Sequence, residues 1–240
     1  MKWTEHHHAW IVSEYFRILT KQWGDRGLET FIQATRTYGE QRGKRMAMRA
    51  IKDGQPLNLE SYFAYGEYSS TPEFFQVKMW ADSSAVNEQV TQCPWADIFS
   101  RKNLKECGVV YCREIDKAIV RGFCPRLHLD TTSTQHYGSC CRFYFRQDEK
   151  IQPDILEKAD NLTAERKDIR MPMDYHCAHV YHVFSATAKG VFGKEGEEVS
   201  ALVLNRFEQE YGKEAADYLA KHANTAFDTI ISLEEWEKIL

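Results

Sequence analysis

The hydrophobic period changes twice along this chain, and those changes limit the folds open to it. Near the start, Trp10, Ile11, Glu14, Tyr15, Ile18 and Leu19 recur at helical spacing over residues 7–22. Leu28, Phe31, Ile32 and Thr35 continue the pattern as the buried face of a second helix. The middle behaves differently. Glu73 to Trp80 is rich in aromatic and β-branched residues with partial alternation, and Val86 to Gln92 alternates as well. Two strands joined by the turn Ala81-Asp82-Ser83-Ser84 follow from this. Arg126 to Asp130 and Cys141 to Phe145 read as two more, separated by a polar loop from Thr131 to Ser139. Between the pairs, a short helix is expected after Pro94 and a longer one over Val109 to Val120. From Asp174 the helical period returns, with Val180, Tyr181, Phe184, Ala188 and Phe192 on one stripe and Val199, Leu202, Val203 and Phe207 on the next. Strands confined to the centre and helices to the ends predict an α+β fold. Its expected form is a central antiparallel sheet with a crossing helix, packed against N- and C-terminal helical hairpins. One domain is expected over 1–240, with a helical part at 1–66, a β-rich cysteine-containing centre at 67–147, and a charged connection with C-terminal helices at 148–240.

Glycine and proline set the expected breaks. Gly24 and Gly27 bracket an Asp25-Arg26 turn, Gly39 and Gly43 loosen the chain before a basic helical segment from Lys44 to Lys52, and Asp53-Gly54-Gln55-Pro56 ends it. Residues 146–170 are charged, contain Pro153 and read as an exposed connection with one short helix. The two ends also resemble each other. Gly24-Asp25-Arg26-Gly27 and Gly193-Lys194-Glu195-Gly196 lie 193 − 24 = 169 residues apart, each after an aromatic-rich helix that opens with histidines. Either the chain carries an internal repeat, or two ordinary hairpins share one turn solution.

Composition narrows the class. The 240 residues are 43% hydrophobic and 13% aromatic, enough for a globular core without staples. A net charge of −4 with scattered Lys and Arg argues against nucleic acid as the main partner. No apolar run approaches the roughly 18 residues that span a bilayer, and MKWTEHHHAWIVSEYF lacks the basic start and continuous apolar stretch of a secretory signal. His6, His7 and His8 run directly into the first helical pattern and belong to it. Seven cysteines, an odd number, read as free thiols of a reducing, cytoplasmic compartment.

Four constellations carry possible chemistry. Cys93 sits at a strand end before Pro94-Trp95, near a helix N-terminus where backbone N–H groups stabilise a thiolate, the nucleophilic form. The alternative is a small residue filling a strand–helix corner. In Tyr111-Cys112-Arg113-Glu114-Ile115-Asp116, Cys112 and Asp116 are four apart and share a helix face. A carboxylate there would orient a base or hold an amidine, and it would raise a neighbouring thiol's pKa, so Cys112 is the weaker nucleophile. In Gly138-Ser139-Cys140-Cys141-Arg142-Phe143, alternation puts Cys141, Phe143 and Phe145 on one face. Finally, His176, His179 and His182 fall three apart on one helix face. Such a row can chelate a metal, but no carboxylate lies inside it, so polar or proton-transferring histidines are the simpler reading.

In order, Cys93-Pro94-Trp95, Tyr111-Cys112 with Asp116, Gly122-Phe123 with Pro125, Thr131-Thr132, and Gly138 with Cys141 and Phe143 form a dense pattern. It resembles the L-2-amino-thiazoline-4-carboxylic acid hydrolase family, and more distantly the 4-vinyl-reductase-type small-molecule-binding domains. Cys124 before the proline and Ser139-Cys140 after the glycine depart from it. The first resemblance implies hydrolytic opening of a small cyclic amidine, amide or thiazoline, by attack at the ring carbon between nitrogen and sulfur or a second nitrogen. In that reading Cys93 is the nucleophile, Asp116 holds the amidinium, His176 or His179 moves protons, and Trp95, Tyr111, Cys112, Thr131 and Cys141 line the substrate pocket. No cofactor is required; the alternative is a metal-bound water on His176 and His179. The second resemblance implies binding without catalysis. The expected partner is a small heterocycle, with no nucleic acid and no membrane, and a homo-oligomer is compatible with the aromatic helices.

Overall fold

The computed structural model describes residues 2–69, 71, 73–166 and 169–239. In chain order its elements are α1 (Glu5–Trp23), α2 (Asp25–Lys52), α3 (Leu59–Ala64), β1 (Gln76–Ala81), β2 (Val86–Gln92), α4 (Pro94–Arg101), α5 (Lys105–Phe123), β3 (His128–Ser133), β4 (Cys141–Arg146), α6 (Ile155–Ala164), α7 (Met173–Phe192), α8 (Lys194–Tyr211), α9 (Lys213–Lys221) and α10 (Leu233–Ile239). The fold is α+β with one antiparallel four-stranded sheet, in the order β1-β2-β4-β3. No helix among the described residues is long and apolar enough to cross a membrane.

The chain forms two compact units. The first comprises Met1–Tyr38, Pro94–Glu114 and Pro172–Ala226; the second comprises Gly39–Cys93, Ile115–Met171 and Phe227–Leu240. Each unit is assembled from three separated stretches of the chain.

The first unit is helical, and the turns of its two hairpins match at their glycines. Gly24 ends α1 with φ 53° and ψ −125°, and its N–H donates to Thr20 O at 2.9 Å. Gly193 ends α7 with φ 60° and ψ −128°, and its N–H donates to Lys189 O at 2.8 Å. Positive φ of this kind favours glycine. The next glycine of each motif has a different task. A Cβ on Gly27 would lie 2.0 Å from Leu19 O, and one on Gly196 would lie 2.1 Å from Ala188 O. Every one of these pairs sits at the 169-residue offset seen in sequence. Equivalent residues also meet: Trp23 stacks on Phe192 with centroids 3.8 Å apart, and Tyr15 packs on Phe184 at 5.3 Å. Contact between equivalent positions is the arrangement a local two-fold axis produces. Gly27→Ala or Gly196→Ala is expected to destabilise by about 1–3 kcal/mol through overpacking. Gly190→Ala, in α7 with nothing within 4 Å of its Cβ, is expected to stabilise by up to about 1 kcal/mol. Urea unfolding of the three variants checks the opposite signs.

The second unit holds the sheet. Here α2 runs unbroken through Gly39 and Gly43, where sequence suggested a loosened segment. Both glycines mark a close helix crossing. A Cβ at Gly39 would lie 2.7 Å from Ala118 Cβ, and one at Gly43 would lie 2.0 Å from Ile119 O. Gly122 of α5 answers from the other side, 2.4 Å from Glu40 O. Bare backbone on both helices lets α2 and α5 approach, and the packing repays the helix propensity that glycine lacks. β3 extends to Ser133, so Thr131 is a strand residue rather than part of the loop expected from Thr131 to Ser139. Its ladder partner Phe143 supplies the pairing that local propensity does not.

Candidate active site

Register defines one face of the sheet. Glu88 of β2 pairs with Phe143 of β4, and Thr131 of β3 pairs with Phe143 from the other side. Directly opposed residues share a face, so Glu88, Phe143 and Thr131 form one row. Val90 opposite Cys141 forms the next row toward the Cys93 end, and Val86, Phe145 and Leu129 the next the other way. Two helices of the second unit cover this face. From α3, Tyr62 packs on Phe145 at 5.7 Å and Phe63 packs on it at 5.1 Å. Tyr62 also meets Phe123 of α5 at 5.5 Å. Asp116 lies seven residues before Phe123, on the same helical stripe, and so looks toward the sheet.

Two carboxyl groups therefore meet over a largely aromatic and aliphatic floor. Burial pushes the Asp116 carboxyl up to about 6, with Arg42 pulling the other way. Burial, and then the charge of Asp116, pushes Glu88 up to about 8. Neither residue is sealed: both keep intermediate solvent exposure. Strong desolvation with retained access is the condition of groups in a cleft. Burial first, then Asp116 and Glu88, raises the Tyr62 hydroxyl pKa, so it stays protonated and can donate. The Cys141 thiol is also raised, by burial, although Gln135 N–H donates to its sulfur at 3.4 Å. At neutral pH the face presents an ionised Asp116 beside a protonated Glu88, a protonated phenol and a protonated thiol.

Among the residues singled out from sequence, Cys93, Asp116, Thr131 and Cys141 belong to this second unit. Cys93 is half-buried and directly precedes α4, whose first residue is Pro94. Trp95, Tyr111, Cys112, His176 and His179 belong to the first unit. There, half-buried Trp95 donates its indole N–H to His8 Nδ1 at 3.0 Å. An indole nitrogen only donates, so Nδ1 is bare and the neutral ring carries its proton on Nε2. That proton faces the Tyr38 hydroxyl at 3.0 Å, and the Tyr38 ring lies 4.6 Å from that of His179. Tyr111 packs on His8 at 6.4 Å and on Phe99 at 6.0 Å. His176 and His179 are 2% and 0% exposed, so these two imidazoles are packed inside the helical unit, while His182 is half-buried. No group of three or more His, Cys, Asp or Glu among the described residues is placed to hold a metal ion.

Sequence reading missed Glu88 and Tyr62. Glu88 had a usable signal, because it occupies the same strand phase as Val86 and Val90, where a solvated carboxylate does not belong. Tyr62 had none; α3 has 6 residues, too few to show a period.

A family model described as L-2-amino-thiazoline-4-carboxylic acid hydrolase matches residues 4–145. No curated protein and no solved structure matches the chain.

Proposed function

The chain belongs to the L-2-amino-thiazoline-4-carboxylic acid hydrolase family, and we propose that it opens a small cyclic amidine, amide or thiazoline by hydrolysis on the Glu88–Asp116 face of its sheet. The observation that carries this reading is the paired carboxyl groups, whose surroundings push one up to about 6 and the other up to about 8. Two carboxyls with separated affinities for a proton are what acid–base catalysis needs near neutral pH. Asp116, ionised, holds the amidinium of the substrate. Glu88, protonated, gives its proton to the ring heteroatom as the ring bond breaks. Tyr62 donates to the tetrahedral centre, and Thr131 and Cys141 contact the ring from the sheet.

Water is the nucleophile in this reading: it adds to the ring carbon and releases a proton to solvent, the ring heteroatom leaves with the Glu88 proton, and Glu88 regains a proton from solvent. Cys93 lies five residues along the chain from Glu88, about 16 Å of extended strand, too far for both to act on one ring bond. Cys93→Ser is therefore expected to keep turnover. Loss of turnover in that variant, with a burst of covalent adduct in the parent chain detected by mass spectrometry of quenched protein, would transfer the attack to the thiol. The assay is incubation with a panel of thiazolines, hydantoins and lactams. Melting shifts with no turnover across the panel would favour a binding domain over an enzyme.

A further inference from the structure

A concave site lies in the sheet-containing unit, apart from the Glu88–Asp116 face. It is a cavity of about 470 Å³ whose cationic wall is Arg49, Lys52 and Arg166. Asp53 and Glu165 border it, and Ile169 and Ile230 form an apolar flank. None of these residues belongs to the Glu88–Asp116 face.

The carboxylates at this cavity are already engaged. Asp53 accepts from the Tyr65 hydroxyl at 2.7 Å and from Arg166 Nε at 2.6 Å, and these two bonds, Tyr65 first, hold its carboxyl below the usual carboxylate range. Glu165 is exposed and reaches Arg166 Nη1 only at 3.5 Å. Arg166 is fixed in place, with Nη1 on Leu162 O at 2.9 Å and its guanidinium 5.4 Å from the Tyr65 ring centroid. Arg49 is 6% exposed, and its Nη1 is bonded to Glu67 and its Nη2 to Ile231 O at 3.2 Å. Lys52 makes no ion pair with any described residue, although it lies in the field of the exposed Glu235. Among the described residues the lining thus holds three cations and two carboxylates, with Arg49 and Arg166 fixed by their bonds, Lys52 exposed at the rim and two isoleucines beside them.

We infer that this cavity binds a small organic carboxylate with a compact apolar tail. Guanidinium groups match a carboxylate's planar fork, and a cation at the rim draws the anion in. The isoleucine flank takes the tail, which a bare inorganic anion lacks. The site is separate from the catalytic face, so its occupation does not depend on the proposed reaction.

The test is titration calorimetry of the full chain with isovalerate, isovaleramide and inorganic phosphate at low salt. Saturable binding of isovalerate is expected, with isovaleramide at least about tenfold weaker. Lys52→Glu is expected to weaken isovalerate at least about tenfold, and Lys52→Ala by less. Lys52 is exposed at the end of α2, and circular dichroism of each variant establishes that the fold is kept. Asp116→Asn is expected to leave isovalerate binding unchanged. Equal binding of acid and amide, no saturation, or an unchanged Lys52→Glu affinity would each overturn the inference. Phosphate binding as tightly as isovalerate would overturn the choice of an organic carboxylate.

Discussion

Glu88→Gln is expected to lower ring-opening turnover by about a hundredfold or more, the scale of a positioned general acid, while changing substrate affinity little. Glutamine keeps the shape and the strand register but has no proton to give as the ring bond breaks. Asp116→Asn should act differently, because it removes the anion that pairs with an amidinium. Its loss should fall on both affinity and turnover for cationic rings, and far less on neutral lactams. The ratio of the two effects distinguishes the roles, which a general loss of structure would not do.

The same pair sets the pH dependence. The proposed reaction needs Asp116 ionised and Glu88 protonated, a state centred between about 6 and about 8. A bell-shaped profile follows, and Glu88→Gln should lose its alkaline limb. Stability has the opposite preference. Both carboxyls have folded values raised above the ordinary carboxylate range, so their contribution is fully present below that range. It is lost as pH rises through about 6 and then about 8. At pH 9, Glu88→Gln is therefore expected to be more stable than the parent chain, as thermal melts at pH 5 and pH 9 would show. A buried carboxyl pair that weakens its own fold is the kind of cost that function imposes.

Much of this arrangement could be read from the sequence, and the failures have definite causes. Alternation found β2 and β4, because each pleat sees its own neighbours locally. The same alternation placed Cys141, Phe143 and Phe145 on one face, which the ladder with Val90, Glu88 and Val86 reproduces. Thr131 was missed as a strand residue, because what holds it is Phe143, distant in the chain. Gly39 and Gly43 misled for a related reason. Their meaning lies in Ala118 and Ile119, residues no local window contains. The histidine spacing at 176 and 179 was legible, but their burial depends on the aromatic residues packed around them, Tyr175 and Tyr38. Glu88 shows the limit most clearly. Its phase was visible, yet only the stripe of α5 that carries Asp116 turns it from an oddity into half of a pair.

Glu67→Ala is expected to cost about 3–5 kcal/mol of stability. Glu67 is fully buried between two arginines: Arg45 donates Nε and Nη2 to it at 2.8 Å and 2.7 Å, and Arg49 donates Nη1. The same arginines reach the C-terminal segment, Arg45 through Phe227 O and Arg49 through Ile231 O. Removing the carboxylate leaves two cations facing each other away from water, which is costlier than never having buried the group. The damage should therefore spread to the C-terminal segment before the sheet. Hydrogen exchange would show it as lost protection over residues 227–239, where Trp236 is 0% exposed against Phe227. Arg45→Met added to Glu67→Leu removes charges together and should recover a large part of the loss. Recovery in the double variant, with protection at 227–239 still low, would identify the carbonyl bonds rather than the ion pairs as what holds that segment down.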